Sequence, residues 1–165
     1  MNAPSSPAHP PSPGDRRTAW LLVLGQFLLL GLIVLLPRGD TWTLPVAVAR
    51  AAQVATAAGV ILMVVAAAAL GRGLTAAPLP NAHAELRTGG LYHFVRHPIY
   101  TGLLLSAVAL TLTSGNLWTT SACLALVVLI NVKARWEEQH LAQRFPGYAG
   151  YAARTPRFIP GLTRH

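Results

Sequence analysis

Acidic residues and cysteine are both scarce in this chain. Five Asp and Glu stand against thirteen Lys and Arg, and a single cysteine, Cys123, lies inside an apolar run. One cysteine excludes a disulfide framework and a multi-cysteine metal site, which leaves Cys123 a packing role. Charge of either sign is thin. Charged residues make up 11% of the 165 positions and apolar ones 53%, too few polar groups to dress an ordinary water-soluble domain.

What is present is a set of long, charge-free apolar runs. A transmembrane helix needs about 20 mostly apolar residues to cross roughly 30 Å of hydrocarbon. Thr18 to Pro37, Ala51 to Gly71 and Ile99 to Val132 meet that requirement, and the last is too long for one crossing. Ser114-Gly115-Asn116 near its middle supplies a turn, so it divides in two. The spacing predicts an all-α integral membrane protein, a bundle of four transmembrane helices at about 18–36, 46–70, 98–113 and 117–132. A helical extension follows the fourth span from Lys133, with Trp136, Leu141 and Phe145 on one face, and ends at Pro146-Gly147.

The net charge of +8 is not arranged as a nucleic-acid groove, because the basic residues lie between the spans. Arg16 and Arg17 precede the first span, Arg72, Arg87 and Arg96 follow the second, and Lys133, Arg135, Arg144, Arg154, Arg157 and Arg164 follow the fourth. Arg38 and Arg50 flank the other side. The positive-inside rule then puts both termini and the second loop in the cytoplasm, in the inner or plasma membrane of a bacterium. The Arg16-Arg17 pair also suits an export signal, but the apolar run behind it exceeds the 7–15 residues of a signal core.

Along the chain, residues 1–17 read as a disordered tail rich in proline and serine, and 18–165 as the membrane domain. Gln26, the one strongly polar side chain of the first span, reads as a bundle-packing residue, and alanine-rich span two, with Gly59, as an interior helix. Trp20 and Trp42 suit interfacial anchors. Pro98 sits where proline is tolerated, at a helix start.

Polar and aromatic groups crowd the stretch Leu86 to Gly102. The amide groups opening span three favour an anion there, with Arg96 beside it. Tyr92 and Tyr100 offer ring faces to a cation or purine. Glu137 and Glu138 can accept from an ammonium or ribose hydroxyls, but neighbours on a helix diverge by about 100°, so one faces a site and the other pairs with Lys133 or Arg135. His93 and His97 have metal-ligand spacing only on a helix, and Pro98 argues against one there, so no metal is expected.

These residues form two motifs. The first is G-x-Y-x-x-x-R-H-P-x-Y-x-G, carried by Gly90, Tyr92, Arg96, His97, Pro98, Tyr100 and Gly102. The second is E-E-x-x-L-x-x-x-F-x-x-Y-x-x-Y followed by P-R-x-x-P, carried by Glu137, Glu138, Leu141, Phe145, Tyr148, Tyr151, Pro156, Arg157 and Pro160. Together, over about residues 84–160, they resemble the membrane methyltransferases typified by isoprenylcysteine carboxyl methyltransferase and the phospholipid N-methyltransferases. The resemblance implies S-adenosylmethionine bound between the two segments. Ala84, Glu85, Leu86, Arg87, Tyr92, His97, Pro98, Ile99 and Tyr100 would line its site, and Glu137 would contact it from the other side. In the carboxyl methyltransferases a basic residue four positions before that glutamate holds the substrate; Lys133 stands there, with Arg135 nearby.

The implied reaction is methyl transfer to a lipophilic or prenylated acceptor reached from the membrane lipids, with carboxyl methylation first. A carboxylate acceptor needs no base, whereas for a phospholipid amine or small thiol His97 or Glu138 is the candidate base. The competing class is a non-catalytic membrane protein whose basic face binds anionic lipid or a partner.

Overall fold

The computed structural model describes residues 12–75, 77–79 and 85–162, and what it describes is helical. Three helices are long and apolar enough to cross a membrane: Pro13–Leu35 (α1), Val46–Leu70 (α2), which runs on through a 3-10 turn to Gly73, and Leu117–Arg144 (α5). A one-turn helix, Leu91–Phe94 (α3), precedes the shorter apolar helix Pro98–Ser114 (α4), and Tyr148–Arg154 (α6) follows α5.

The start of α1 corrects the expected tail boundary. Residues 13–17 are helical, because Ser12 accepts from the Asp15 amide while the Asp15 carboxylate accepts from the Ser12 amide, a reciprocal capping box with Pro13 behind it. The remainder of the expected tail, residues 1–11, lies outside the described residues. Pro98 opens α4 as expected, with His97 as its N-cap.

The four long helices pack in the spatial order α2, α4, α5, α1. The core lies between α1, α4 and α5, where Ile33, Leu103, Ala107, Cys123, Leu126 and Ile130 meet. Helix α2 flanks the bundle and is not interior, since Val54, Ile61 and Val64 stay exposed. Small residues, Ala52, Gly59 and Ala66, form its buried face, which packs chiefly on α4.

That α2–α4 contact is backbone on backbone. A Cβ on Gly59 would collide with Ser106 Oγ and the Gly102 carbonyl, and one on Gly102 would collide with the Gly59 carbonyl. Small residues allow such an approach in lipid, where apolar burial gives helices little reason to associate. Ser106 Oγ adds a bond to the Thr56 carbonyl at 3.1 Å. At the far end, Gly115 takes a left-handed conformation (φ 59°) to turn α4 into α5. The α1–α2 connection is stitched to that turn: the Gly39 amide donates to the Ser114 carbonyl at 2.8 Å, Asn116 Nδ2 to the Pro37 carbonyl at 2.8 Å, and Trp42 Nε1 to the Leu112 carbonyl at 2.9 Å. With one end closed, the starts of α1 and α4 and the ends of α2 and α5 gather at the other.

Gly59→Ala should therefore lower stability by about 1–3 kcal/mol through overpacking. Gly31→Ala is the control, because nothing lies within 4 Å of the added methyl, and it should leave stability unchanged or raised. Denaturation midpoints of the two variants in detergent measure the difference.

Candidate functional site at the open end of the bundle

The Glu138 carboxylate joins the two motifs. Its Oε1 accepts from Arg96 Nε at 3.0 Å and from Arg157 Nε at 2.9 Å, and its Oε2 accepts from Arg157 Nη2 at 2.6 Å. His97 Nε2 lies 3.1 Å from the same Oε1. Burial works against its charge, but the bonds from His97 and Arg157 and the adjacent Arg96 guanidinium outweigh it and hold the carboxyl well below its ordinary value. Glu138 is thus a fixed anion and is unsuited to act as a base. It pairs with neither Lys133 nor Arg135, contrary to the helical-neighbour expectation, because partners from outside α5 reach it first.

Arg96 is equally committed. Its Nη1 donates to the carbonyls of Ala152 at 2.6 Å and Thr155 at 2.8 Å. It therefore clamps the segment after α6 and is not a free anion receptor at the start of α4. The main chain repeats the junction: the Arg96 amide donates to the Pro156 carbonyl at 2.9 Å and the His97 amide to the Arg157 carbonyl at 3.1 Å. Thr101 Oγ1 adds a bond to the Phe158 carbonyl at 2.9 Å.

Glu137, one residue earlier, points elsewhere. Its Oε2 accepts from Tyr100 Oη at 2.8 Å and lies 4.0 Å from His97 Nδ1. The buried His97 ring stacks on Tyr100 with centroids 5.3 Å apart. As an ionised acceptor Glu138 requires the proton on His97 Nε2, so Nδ1 is the nitrogen turned toward Glu137.

These groups wall a cavity of about 360 Å³. Tyr92, His97, Pro98, Ile99 and Tyr100 line it from the first motif, and Glu137, Leu141, Tyr148 and Tyr151 from the second. Glu85, Leu86 and Arg87 form part of its rim, with Arg87 and Glu85 paired at 3.3 Å in solvent. Ala84 lies outside the described residues. Tyr92 is fixed by its hydroxyl, which donates to the Ala66 carbonyl of α2 at 3.2 Å, and by its own carbonyl, which accepts from Tyr151 Oη. Burial pushes the Tyr151 phenol up to about 12, so it remains a donor.

Lys133 is buried at the apolar end of this cavity. Its Nζ donates to Gln26 Oε1 of α1 at 2.6 Å and lies 5.3 Å from the Tyr100 ring centroid. Gln26 is thus a site residue as well as a packing one, and its isolation as the one strongly polar group in an apolar span was the available signal. Arg135 does not join it. Two positions along a helix turn a side chain to the opposite side, and Arg135 is exposed in a second cavity of about 780 Å³ beyond Glu138. His93 is exposed and lines neither cavity, and among the described residues no three of His, Cys, Asp and Glu cluster to hold a metal ion.

Glu138→Gln should destabilise the protein by about 3–5 kcal/mol, since it strands two arginines in a part-buried junction. The lowered carboxyl value also fixes a sign. The stabilisation is complete above the ordinary carboxylate value of 4.5 and is withdrawn as pH falls through and below it. Unfolding midpoints followed down the acid limb should fall steeply in the wild type and less steeply in the variant.

Sequence comparison agrees with this geometry. Two curated proteins are similar to part of the chain. The cobalt-zinc-cadmium resistance protein CzcN of Cupriavidus metallidurans is 38% identical over 79 residues, 47% of this chain and 37% of that protein. The nickel-cobalt-cadmium resistance protein NccN of Alcaligenes xylosoxydans xylosoxydans is 37% identical over 81 residues, 48% of this chain and 38% of that protein. The matched stretches thus span less than two fifths of either relative. The sequence profile of the phospholipid methyltransferase family matches residues 48–147, from α2 through the end of α5, which takes in the first motif and Glu137 and Leu141 of the second and stops before Tyr148. The chain belongs to the phospholipid methyltransferase family of membrane methyltransferases.

Proposed function

We propose that this protein transfers a methyl group from S-adenosylmethionine to a lipophilic acceptor at the cytoplasmic face of a membrane, with a carboxylate of the isoprenylcysteine type as acceptor. The observation that carries the reading is a cavity with Tyr92 and His97 to Tyr100 of the first motif on one side and Glu137 of the second on the other. Its volume falls within the roughly 300–1,000 Å³ of small-molecule pockets. In this reading α4 is a fourth membrane span, α5 continues into the cytoplasm beyond Val132, and residues from α1 onward form one catalytic domain. Arg16, Arg17, Arg72, Arg87 and Arg157 belong to the open end of the bundle, which supports a cytoplasmic orientation for it.

The donor set suits such a cofactor. Glu137 Oε1 can accept from an ammonium or a ribose hydroxyl, and the rings of Tyr92 and Tyr100 present faces to positive charge. When bound, S-adenosylmethionine supplies an electrophilic methyl on sulfur. The chain supplies orientation and exclusion of water. Lys133, held from one side by Gln26, has N–H donors left to grip an acceptor carboxylate, and the apolar side chains of Phe27 and Leu70 beside it give a lipid tail its passage. A carboxylate attacks without losing a proton, so no base is needed. His97, held between Glu138 and Tyr100, lines the cavity and fixes the Tyr100 ring whose hydroxyl orients Glu137.

Calorimetry on the purified protein should detect S-adenosylmethionine binding, weakened by about tenfold or more in Glu137→Ala and His97→Ala. Unchanged affinity in both would sink the proposal. Membranes incubated with methyl-labelled cofactor should yield a base-labile ester, and Lys133→Ala should abolish it. Label found in phospholipid or in a thioether would reassign the acceptor.

A further inference from the structure

The second cavity, about 780 Å³ in volume, shares only Arg96 with the first and takes no part in the reading above. Its charge is lopsided. Arg96, Arg135 and Arg157 line it against one acid, Glu138, whose oxygens are already held by Arg96 and Arg157. Arg96 has committed its donors to Glu138 and to the carbonyls of Ala152 and Thr155. Arg157 turns Nε and Nη2 to Glu138, which leaves its Nη1 donors over. Arg135 is exposed, and its guanidinium has no ion-pair partner among the described residues.

The place of this cavity along α5 is that of a membrane boundary. Leu124, Val128 and Val132 stand on one exposed stripe of the helix, and Arg135 and Gln139 continue it at three- and four-residue spacing. Large apolar side chains on the stripe end at Val132, and the arginine follows about 4.5 Å further along the axis. From the other side, a turn with Gly161 in the left-handed region (φ 81°) is closed by the Leu162 amide donating to the Ile159 carbonyl at 3.2 Å. It sets Ile159 and Leu162 in the cavity lining, 59% and 65% exposed. Bare aliphatic groups beside guanidinium groups suit the level where acyl chains give way to head groups.

We propose that the second cavity seats the phosphate of an acidic phospholipid, held by Arg135 and by Nη1 of Arg157, with the acyl chains against Val132, Ile159 and Leu162. Guanidinium donors match phosphate oxygens in pairs, and the negative charge of the occupant balances the excess of arginine. This lipid is an accessory ligand and not a methyl acceptor, because Tyr92, His97 and Glu137 line the other cavity. Through Arg157 it braces the segment after α6, which Glu138 and the main chain already tie to the start of α4, so its binding stabilises the fold.

Thermal unfolding of the full chain in phosphatidylcholine nanodiscs with a rising share of phosphatidylglycerol tests the site. The wild-type midpoint should rise with the acidic lipid, and Arg135→Gln should lose at least about half of that rise. Arg154→Gln removes the same charge from an exposed arginine that lines neither cavity, and it should keep the rise. Each rise is measured against the same variant in phosphatidylcholine alone, so a change in basal stability cancels. Equal losses in the two variants would reduce the effect to diffuse surface charge and overturn the site, as would a wild-type midpoint indifferent to the acidic lipid. Glycerol phosphate, a water-soluble head group added to the phosphatidylcholine discs, should leave the midpoint where it is. A rise equal to that given by the lipid would make the ligand a free phosphate ester and overturn the lipid assignment.

Discussion

The Glu138 carboxylate is the group on which the open end of this bundle depends. It is charged, part-buried and shared by Arg96, Arg157 and His97, which come from two segments distant in sequence. An isolated carboxylate in that position would be very costly, and so would either arginine alone. Each group is therefore tolerable only while the others are in place. This interdependence explains how the chain after α6, too short and irregular to bring an apolar core of its own, is held against the start of α4. A buried ion network is weak evidence for net stability, since apolar substitutes of equal volume often do as well. Its consequence here is geometric: it fixes the end of α6 and the segment after it, and α6 carries Tyr148 and Tyr151 in the cavity wall.

The other wall depends on the α2–α4 crossing. Tyr92 takes its orientation from the Ala66 carbonyl, so the cavity keeps its shape only if α2 stays where Gly59 and Gly102 seat it. In lipid, helices meet through close packing and interhelical hydrogen bonds. The chain uses both, small residues between α2 and α4 and the Gln26–Lys133 bond between α1 and α5. A lysine in that environment needs an acceptor, and a neutral amide supplies one without cancelling the charge. That choice leaves the lysine charge uncancelled by its partner on α1, as a carboxylate at position 26 would not.

Helical periodicity and run length made the long helices legible because a membrane leaves few alternatives: every backbone group must find its partner within the helix. The first boundary was misjudged at Ser12–Asp15, where a capping box extends α1 into a stretch whose prolines and charges resemble a tail. The position of α2 was not legible either, since alanine content is compatible with both an interior helix and a flank with one narrow face. At the site, the order of the two motifs across the α4–α5 hairpin carried most of the information. The division of labour between neighbours did not show in the sequence. Lys133 and Arg135 look interchangeable in a string of letters, and only the turn of α5 sends one into the cavity beside Gln26 and the other to the exposed cleft beyond Glu138.

The same rotation separates Glu137 from Glu138 and gives two identical side chains opposite roles. A step of about 100° turns one toward the cavity, with a single phenol bond, and the other toward two guanidinium groups that leave it nothing to offer. His97 lies between them, one nitrogen toward each. Glu138 holds one ring nitrogen at 3.1 Å, and Glu137 lies 4.0 Å from the other. The ion cluster thereby joins the Glu-Glu pair and the His-Pro pair into one unit, although a whole helical hairpin separates them in the chain.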